Sequence, residues 1–343
     1  MTERPISVTI VTWNSGPDIT RCLDGLAAQT AAPREVVVVD NASADNSALL
    51  VGTHPLGARL IRNNSNQGFT AGHNRAIAET VGAWVLVLNP DVVLAPDFLE
   101  QCLAATAGRE RVGSVAGKLL RMTRPLPDGP PSHWPEETWS GGVIDSTGIL
   151  VTPQCRHLDR GAGEQDRGQY DEAQYVFGVS GAAAFYRRKM LEETAVAGEI
   201  FDEDFFSFRE DADLSWRGQL LEWDTIYWPA ARALHRRSVT PRRRRRLDPT
   251  INRHSVKNRF LLRIKNQTAG HALRFLFPTL LRDLLVLGAL FTVERTSLPA
   301  LPWLWHNRRR IFKKRKEIMG RRTRPGAEVN TWFHSGHDSR PTG

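Results

Sequence analysis

Short β-branched runs alternate with polar, helix-like stretches through the first quarter of the chain. ISVTIVT at Ile6–Thr12 and EVVVVD at Glu35–Asp40 are continuous apolar runs of strand length, suited to strands buried on both faces. Between them, Asp18–Gln29 predicts a helix: Pro17 suits its start, and Ile19, Cys22, Leu23 and Leu26 share one face. Arg59–Arg62 reads as a third strand, Gly72–Val81 as a second helix and Ala83–Leu88 as a fourth strand. This alternation predicts an α/β fold, a mostly parallel central sheet flanked by helices.

Residues 121–174 break the pattern. A Pro/Gly-rich stretch at Arg124–Pro135 is followed by GGVIDSTGIL and the acidic GAGEQDRGQYDE, which predicts a long insertion or lid containing a hairpin. Regular structure resumes at Val176–Arg187 and in a helix at Asp211–Leu221. Much later, Phe275–Val293 is a nineteen-residue apolar window interrupted by Pro278, Arg282 and Asp283. As a helix it gathers Leu280, Leu281, Leu284, Leu285, Leu287 and Phe291 on one broad face. With Arg263, Lys265 and Arg274 before it and NRRRIFKKRK after it, a helix lying on a membrane surface is expected rather than a spanning one. The alternative is a core helix of a small C-terminal subdomain.

Composition narrows the class. At 343 residues with 41% hydrophobic, the chain has material for a real core, and 27 Gly with 20 Pro exclude collagen-like or low-complexity sequence. Cys22, Cys102 and Cys155 contain no C-x-x-C pair, so neither a disulfide framework nor a zinc knuckle is expected. The opening MTERPISVTIVTW lacks the long apolar run of a signal peptide, and the expectation is a cytoplasmic protein.

The net charge of +9 conceals a segregation. Residues 1–230 carry 19 Lys/Arg against 31 Asp/Glu, whereas residues 231–324 carry 26 against 4. The basic third is therefore expected to meet an anion: nucleic acid, a phosphate-bearing ligand or a membrane surface.

In an open parallel sheet, ligands bind beyond the carboxyl ends of the strands. Here those ends read Thr12-Trp13-Asn14-Ser15-Gly16, Asp40-Asn41-Ala42-Ser43, Asn63 through Asn74, and Asn89-Pro90-Asp91. Asn, Asp and Gly are ordinary turn residues, but four such ends in succession mark a site. Neither G-x-G-x-x-G nor G-x-x-x-x-G-K-[ST] is present, which disfavours a dinucleotide oxidoreductase and a P-loop enzyme.

The segments SVTIVTWNSG, EVVVVDNASADNS, NNSNQGFTAGHNRAI, VLVLNPDVVLAPDFL and FDEDFFSFREDADLSWR resemble family 2 glycosyltransferases of the type-A fold (GT-A), nearest the bacterial rhamnosyltransferase-like branch. The resemblance implies a catalytic domain over 1–240, a basic helical membrane-associating region over 241–324 and a flexible tail over 325–343. It also implies a nucleotide-diphosphate sugar donor, with dTDP-rhamnose the one expected, inversion at the anomeric carbon, and a saccharide acceptor on a polyprenyl diphosphate at the inner face of the cytoplasmic membrane. Carried over by position, Asp40 recognises the base, and Thr12, Asn14, Asn41 and Ser43 line the nucleoside pocket. Asn66, Gly68 and Asn74 lie near the ribose and diphosphate. Asn89-Pro90-Asp91 replaces the family's D-x-D, which leaves Asp91 as the ionised ligand for Mg²⁺ or Mn²⁺, joined by His235. Asp211 is the expected base and Glu210 its neighbour, while Asp213 is expected to pair with Arg217. Ser180 and Gly181 are expected to meet the acceptor. Arg242–Arg246 with Arg253 and Arg259 would form a cationic mouth for its diphosphate. Asp202, Glu203 and Asp204 read as solvated charge.

Two other classes compete. The basic third could bind nucleic acid through phosphate contacts, although it carries no recognition motif and the acidic body would repel a polyanion. A non-catalytic membrane scaffold on the same fold is the other, since Asn89 departs from the family pattern.

Overall fold

The computed structural model describes residues 5–237 and 249–334; Arg242–Arg246 lie outside them. The first elements are β1 (Ile6–Thr12), α1 (Gly16–Ala27), β2 (Glu35–Asp40), α2 (Ser47–Thr53), β3 (Arg59–Arg62), α3 (Gly68–Ala78) and β4 (Trp84–Leu88). Then come β5 (Val92–Leu94), α4 (Phe98–Thr106), β6 (Val112–Arg121), β7 (Gly142–Ser146), β8 (Ile149–Val151), β9 (His157–Asp159), β10 (Gln165–Asp166) and β11 (Gln174–Val176). β12 (Ala183–Arg187), α5 (Arg188–Thr194), α6 (Glu210–Leu220) and β13 (Asp224–His235) close the sheet region. The helices α7 (Pro249–Asn266), α8 (Ala269–Arg274), α9 (Leu276–Thr292), α10 (Ala300–His306), α11 (Arg308–Arg321) and α12 (Gly326–Val329) follow.

The sheet runs β10-β7-β6-β12-β4-β1-β2-β3, with β13 paired to β6, β5 and β11. β1–β4 form the expected parallel block. Beyond it the sheet is mixed, because β12 re-enters from the opposite end and runs antiparallel to both β4 and β6. Alternation along each strand serves two cores. Val8, Ile10, Leu86, Leu88 and Phe185 pack on one face; Val85, Val87, Ala184 and Tyr186 pack on the other. α1 places Pro17 in its first turn and buries Ile19, Cys22, Leu23 and Leu26 against the first core, as its periodicity requires.

A third core joins α6 to the C-terminal helices through Phe177, Trp216, Leu261, Ile311, Ile318, Trp332 and Phe333. The expected flexible tail is corrected over its described part: Val329, Trp332 and Phe333 are buried there, because their side chains fill the cleft between α6 and α8. Among the described residues no single helix is long and apolar enough to cross a membrane.

Candidate active site

β1 and β2 are registered so that Thr12 stands opposite Asp40, both fully buried at their strand ends. Asp40 Oδ2 accepts from the Ser43 N–H at 3.3 Å, while Asp40 Oδ1 and Thr12 Oγ1 have no hydrogen-bond partner. A buried carboxylate oxygen without a donor is unfavourable until a ligand supplies one. The Asn14 N–H donates to Ser43 Oγ at 3.0 Å, and its Oδ1 accepts from the Ala44 N–H at 2.8 Å. These bonds fuse the loops after β1 and β2 into one wall.

The next expected donor residues act as struts. Asn41 donates to the Gly68 carbonyl at 3.0 Å and accepts from Asn63 at 2.7 Å. Asn66 accepts from the Gly68 N–H at 2.9 Å. Gly68 has φ +80°, and a Cβ there would lie 2.5 Å from the Phe206 carbonyl. Asn74 donates to the Phe201 carbonyl at 2.8 Å and accepts from the Phe201 N–H at 2.8 Å. The Asn74 amide, expected near the diphosphate, here holds the loop that precedes α6, bonding also to Glu203 at 3.1 Å.

Beyond β4, an ionic chain begins. His235, at the end of β13, places Nε2 3.3 Å from Asp91 and Nδ1 2.7 Å from Asp145. Asp145 also meets Arg121 at 3.3 Å and Arg237 at 2.8 Å, and Arg237 reaches Asp159 at 2.9 Å. Burial alone would lower the His235 pKa, but its bonds to Asp145 and Asp91 outweigh that and raise it to about 9. Burial would raise the Asp145 pKa; its bond to His235 and the nearby cations instead bring it down to about 2. His235 is thus the cationic partner of both carboxylates, and Nε2 must give up its proton before Asp91 and His235 can act together as one oxygen and one nitrogen ligand. Among the described residues no group of three His, Cys, Asp or Glu side chains is placed to hold a metal ion. The pair fits a hard divalent cation that takes its remaining ligands from phosphate oxygens and water.

The second constellation connects to the first through backbone. The Asn89 N–H donates to the Ala182 carbonyl at 2.9 Å, and one residue earlier the Gly181 N–H donates to Asp211 Oδ2 at 3.0 Å. Asp211 Oδ1 accepts from the Ala212 N–H at 2.7 Å. Burial raises the Asp211 pKa, the Gly181 N–H opposes it and the Asp159 charge adds to it, leaving a value of about 6. Glu210 is pushed well above the carboxylate range by burial and by the adjacent Asp211, and its Oε2 has no partner. Asp91, His235, Asn89, Asn14, Ser180, Gly181, Glu210 and Asp211 all line one cleft of about 860 Å³. Arg121, Asp145, Asp159 and Arg237 line it too, and sequence reasoning missed them. The only sequence sign was the GGVIDSTGIL segment inside the irregular 121–174 stretch, all four being outside any local motif.

Other expectations are relocated. Arg259 is not at the cleft; it pairs with Asp283 at 3.1 Å, because burial beside α9 demands an anion. Arg253 is exposed on α7, outside the cleft lining. Asp213 is buried and accepts from Arg217 at 3.0 Å, as expected, and also from Lys265 at 3.0 Å and Asn266 at 2.7 Å. Asp202 and Asp204 are not solvated. Asp202 pairs with Lys265 and Lys314, and Asp204 with Arg310 and Lys314. Part of the basic third thus meets its anions inside the molecule.

The family model for glycosyl transferase family 2 matches residues 7–194. The chain belongs to that family. This family 2 glycosyltransferase is 30% identical over 246 residues to N-acetylglucosaminyl-diphospho-decaprenol L-rhamnosyltransferase of Mycobacterium tuberculosis, covering 68% of this chain and 76% of the relative. It is 29% identical over 238 residues to the O-antigen biosynthesis protein RfbC of Myxococcus xanthus, spanning 68% of this chain but 17% of that protein. Among solved structures it shares its fold with the Pyrobaculum calidifontis mannosyltransferase PcManGT in complex with GDP-Man and Mn²⁺. That match has a TM-score of 0.52 and 19% identity, and covers 96% of this chain and 88% of the other. S. aureus TarS 1–349 in complex with UDP matches with a TM-score of 0.51 and 19% identity, covering 96% and 83%. The glycosyltransferase has the GT-A fold, with a mixed central sheet and a helical C-terminal region.

Proposed function

We propose that this glycosyltransferase moves L-rhamnose from dTDP-rhamnose, with inversion, to a sugar carried on a polyprenyl diphosphate, in cell-surface glycan synthesis. The reading of the transferred sugar and of the acceptor follows the mycobacterial relative, and the thymidine nucleotide follows the resemblance to the rhamnosyltransferase-like branch. The observation that carries the mechanism is the short link Asn89–Ala182–Gly181–Asp211, which holds the carboxylate of α6 in the same cleft as Asp91 and His235.

Asp40, whose buried Oδ1 has no hydrogen-bond partner, accepts from the base of the nucleotide beside Thr12 Oγ1, which is likewise unpartnered, while Asn14 lines the cleft itself. The acceptor hydroxyl enters beside Ser180 and Gly181. Its oxygen bonds to the anomeric carbon as its proton passes to the Asp211 carboxylate, and the bond from that carbon to the diphosphate breaks, its electron pair leaving with the nucleoside diphosphate. A pKa of about 6 keeps Asp211 ionised at neutral pH yet basic enough to take the proton. Only one base is needed, because the diphosphate is already a good leaving group. Asp91 and His235 would hold Mg²⁺ or Mn²⁺, which when bound neutralises charge on the departing diphosphate. Burial and the adjacent Asp211 raise the Glu210 carboxyl well above its ordinary range, which disfavours a second negative charge beside the base.

The enzyme works from the cytoplasmic side as a peripheral protein, with the exposed apolar face of α9 on an anionic membrane surface. A panel of thymidine-, uridine- and guanosine-diphosphate sugars, mixed with N-acetylglucosaminyl-diphospho-polyprenol and Mg²⁺ or Mn²⁺, tests the reading by phosphorus NMR. Acceptor-dependent consumption of dTDP-rhamnose, stopped by chelator, is expected. Preferential consumption of another donor by the folded protein would overturn the donor assignment.

A further inference from the structure

A single segment joins the cleft to the apolar helix α9. At its inner end, His157 and Leu158 line the cleft, and His157 Nδ1 lies 2.9 Å from the guanidinium of Arg209, two residues before Asp211. At its outer end, Thr279 of α9 donates to the Pro153 carbonyl at 3.3 Å, and Cys155 Sγ stands 4.0 Å from Thr279 Oγ1. Arg156 sits between these two anchors. Arg282 follows Thr279 by three residues and so shares its side of α9.

Arg156 and Arg282 differ from the surrounding cations. Arg259 and Arg263 are both neutralised by Asp283. Among the described residues Arg156 and Arg282 have no carboxylate within ion-pair distance, and the buried Nε of Arg282 has no hydrogen-bond partner. Burial and then the charge of Arg282 hold the Arg156 guanidinium below its ordinary pKa. Beside them, Leu280, Leu281, Leu284 and Leu285 of α9 are each more than half exposed.

Two unpaired guanidinium groups at the border of an exposed apolar face complement a ligand with a compact polyanionic head and a hydrocarbon tail. The geometry points to a lipid-diphosphate site: Arg156 and Arg282 hold the diphosphate of a polyprenyl-linked acceptor whose tail stays in the bilayer along α9. From there the segment through His157 leads the attached sugar past Arg209 to Asp211. This inference rests on the lipid-linked acceptor proposed above. It adds residues that the expected cationic mouth, Arg242–Arg246 with Arg253 and Arg259, did not contain.

Vesicle co-sedimentation tests it without using the transfer reaction. Full-length protein is mixed with phosphatidylcholine vesicles that carry either undecaprenyl diphosphate or phosphatidylglycerol at matched charge. The wild type is expected to bind the diphosphate vesicles more tightly than the phosphatidylglycerol ones. Neutralising both cations, Arg156→Gln with Arg282→Gln, should weaken diphosphate binding at least about tenfold. Arg156→Lys with Arg282→Lys keeps the charge and should retain most of it, which separates a lost site from a misfolded protein. Equal binding to both vesicle types, or full binding by the Gln pair, would overturn the site. Because no donor is present, either result stands whichever sugar the enzyme transfers.

Discussion

His235 donates through Nδ1 to Asp145 at 2.7 Å while its Nε2 stands 3.3 Å from Asp91. One imidazole thus spans two carboxylates from distant parts of the chain, one on the loop after β4 and one on β7. Asp145 fixes the ring and, with it, the face that His235 turns toward Asp91.

Asp145→Asn should therefore weaken Mn²⁺ binding in the presence of dTDP by about 10- to 100-fold, as loss of an orienting partner does at metal sites. Electron paramagnetic resonance titration reads this directly. Unchanged affinity would mean that His235 does not ligate the ion.

The pH profile of turnover reports Asp211. Its pKa is raised by burial to about 6, and the carboxylate must be ionised to accept a proton, so turnover should fall as pH drops below that value. The acidic limb should have a slope of one. A profile that stays flat well below the raised value would remove Asp211 from the base role.

Asp213→Ala should act on stability. It strips Lys265 and Arg217, both buried, of an anion they share, and a broken buried pair costs about 3–5 kcal/mol. Thermal unfolding checks this. A variant that melts with the wild type would contradict the structural role.

Gly68→Ala should likewise destabilise the protein, because the residue adopts φ +80° and a Cβ would meet the Phe206 carbonyl at 2.5 Å. The structure assigns Gly68 to packing of α3 on the loop before α6. A normal melting temperature with a selectively raised KM for donor would instead restore it to the donor pocket.

The sequence made β1, β2 and β4 legible because their apolar runs are buried on both faces, a local pattern that needs no tertiary context, whereas β3 is exposed at both ends and carries no such run. Asp40, Asp91 and Asp211 were legible as motif residues at strand and helix ends. Asp145, Asp159 and Arg237 were not, because they come together across the mixed half of the sheet, where no period marks the strands. Asp202 and Asp204 read as solvated for a related reason: their partners Lys265, Arg310 and Lys314 arrive from helices far along the chain. Asn41 and Asn74 show what sequence cannot display: polar motif residues whose amides also hold neighbouring loops in place.

Single-turnover transfer by Asp211→Asn, with dTDP-rhamnose, Mn²⁺ and the lipid-linked acceptor all bound, tests the central claim most directly. A rate lower by about 10²–10⁴ is expected, with donor affinity and melting temperature preserved. A rate within a few-fold of the wild type would contradict it.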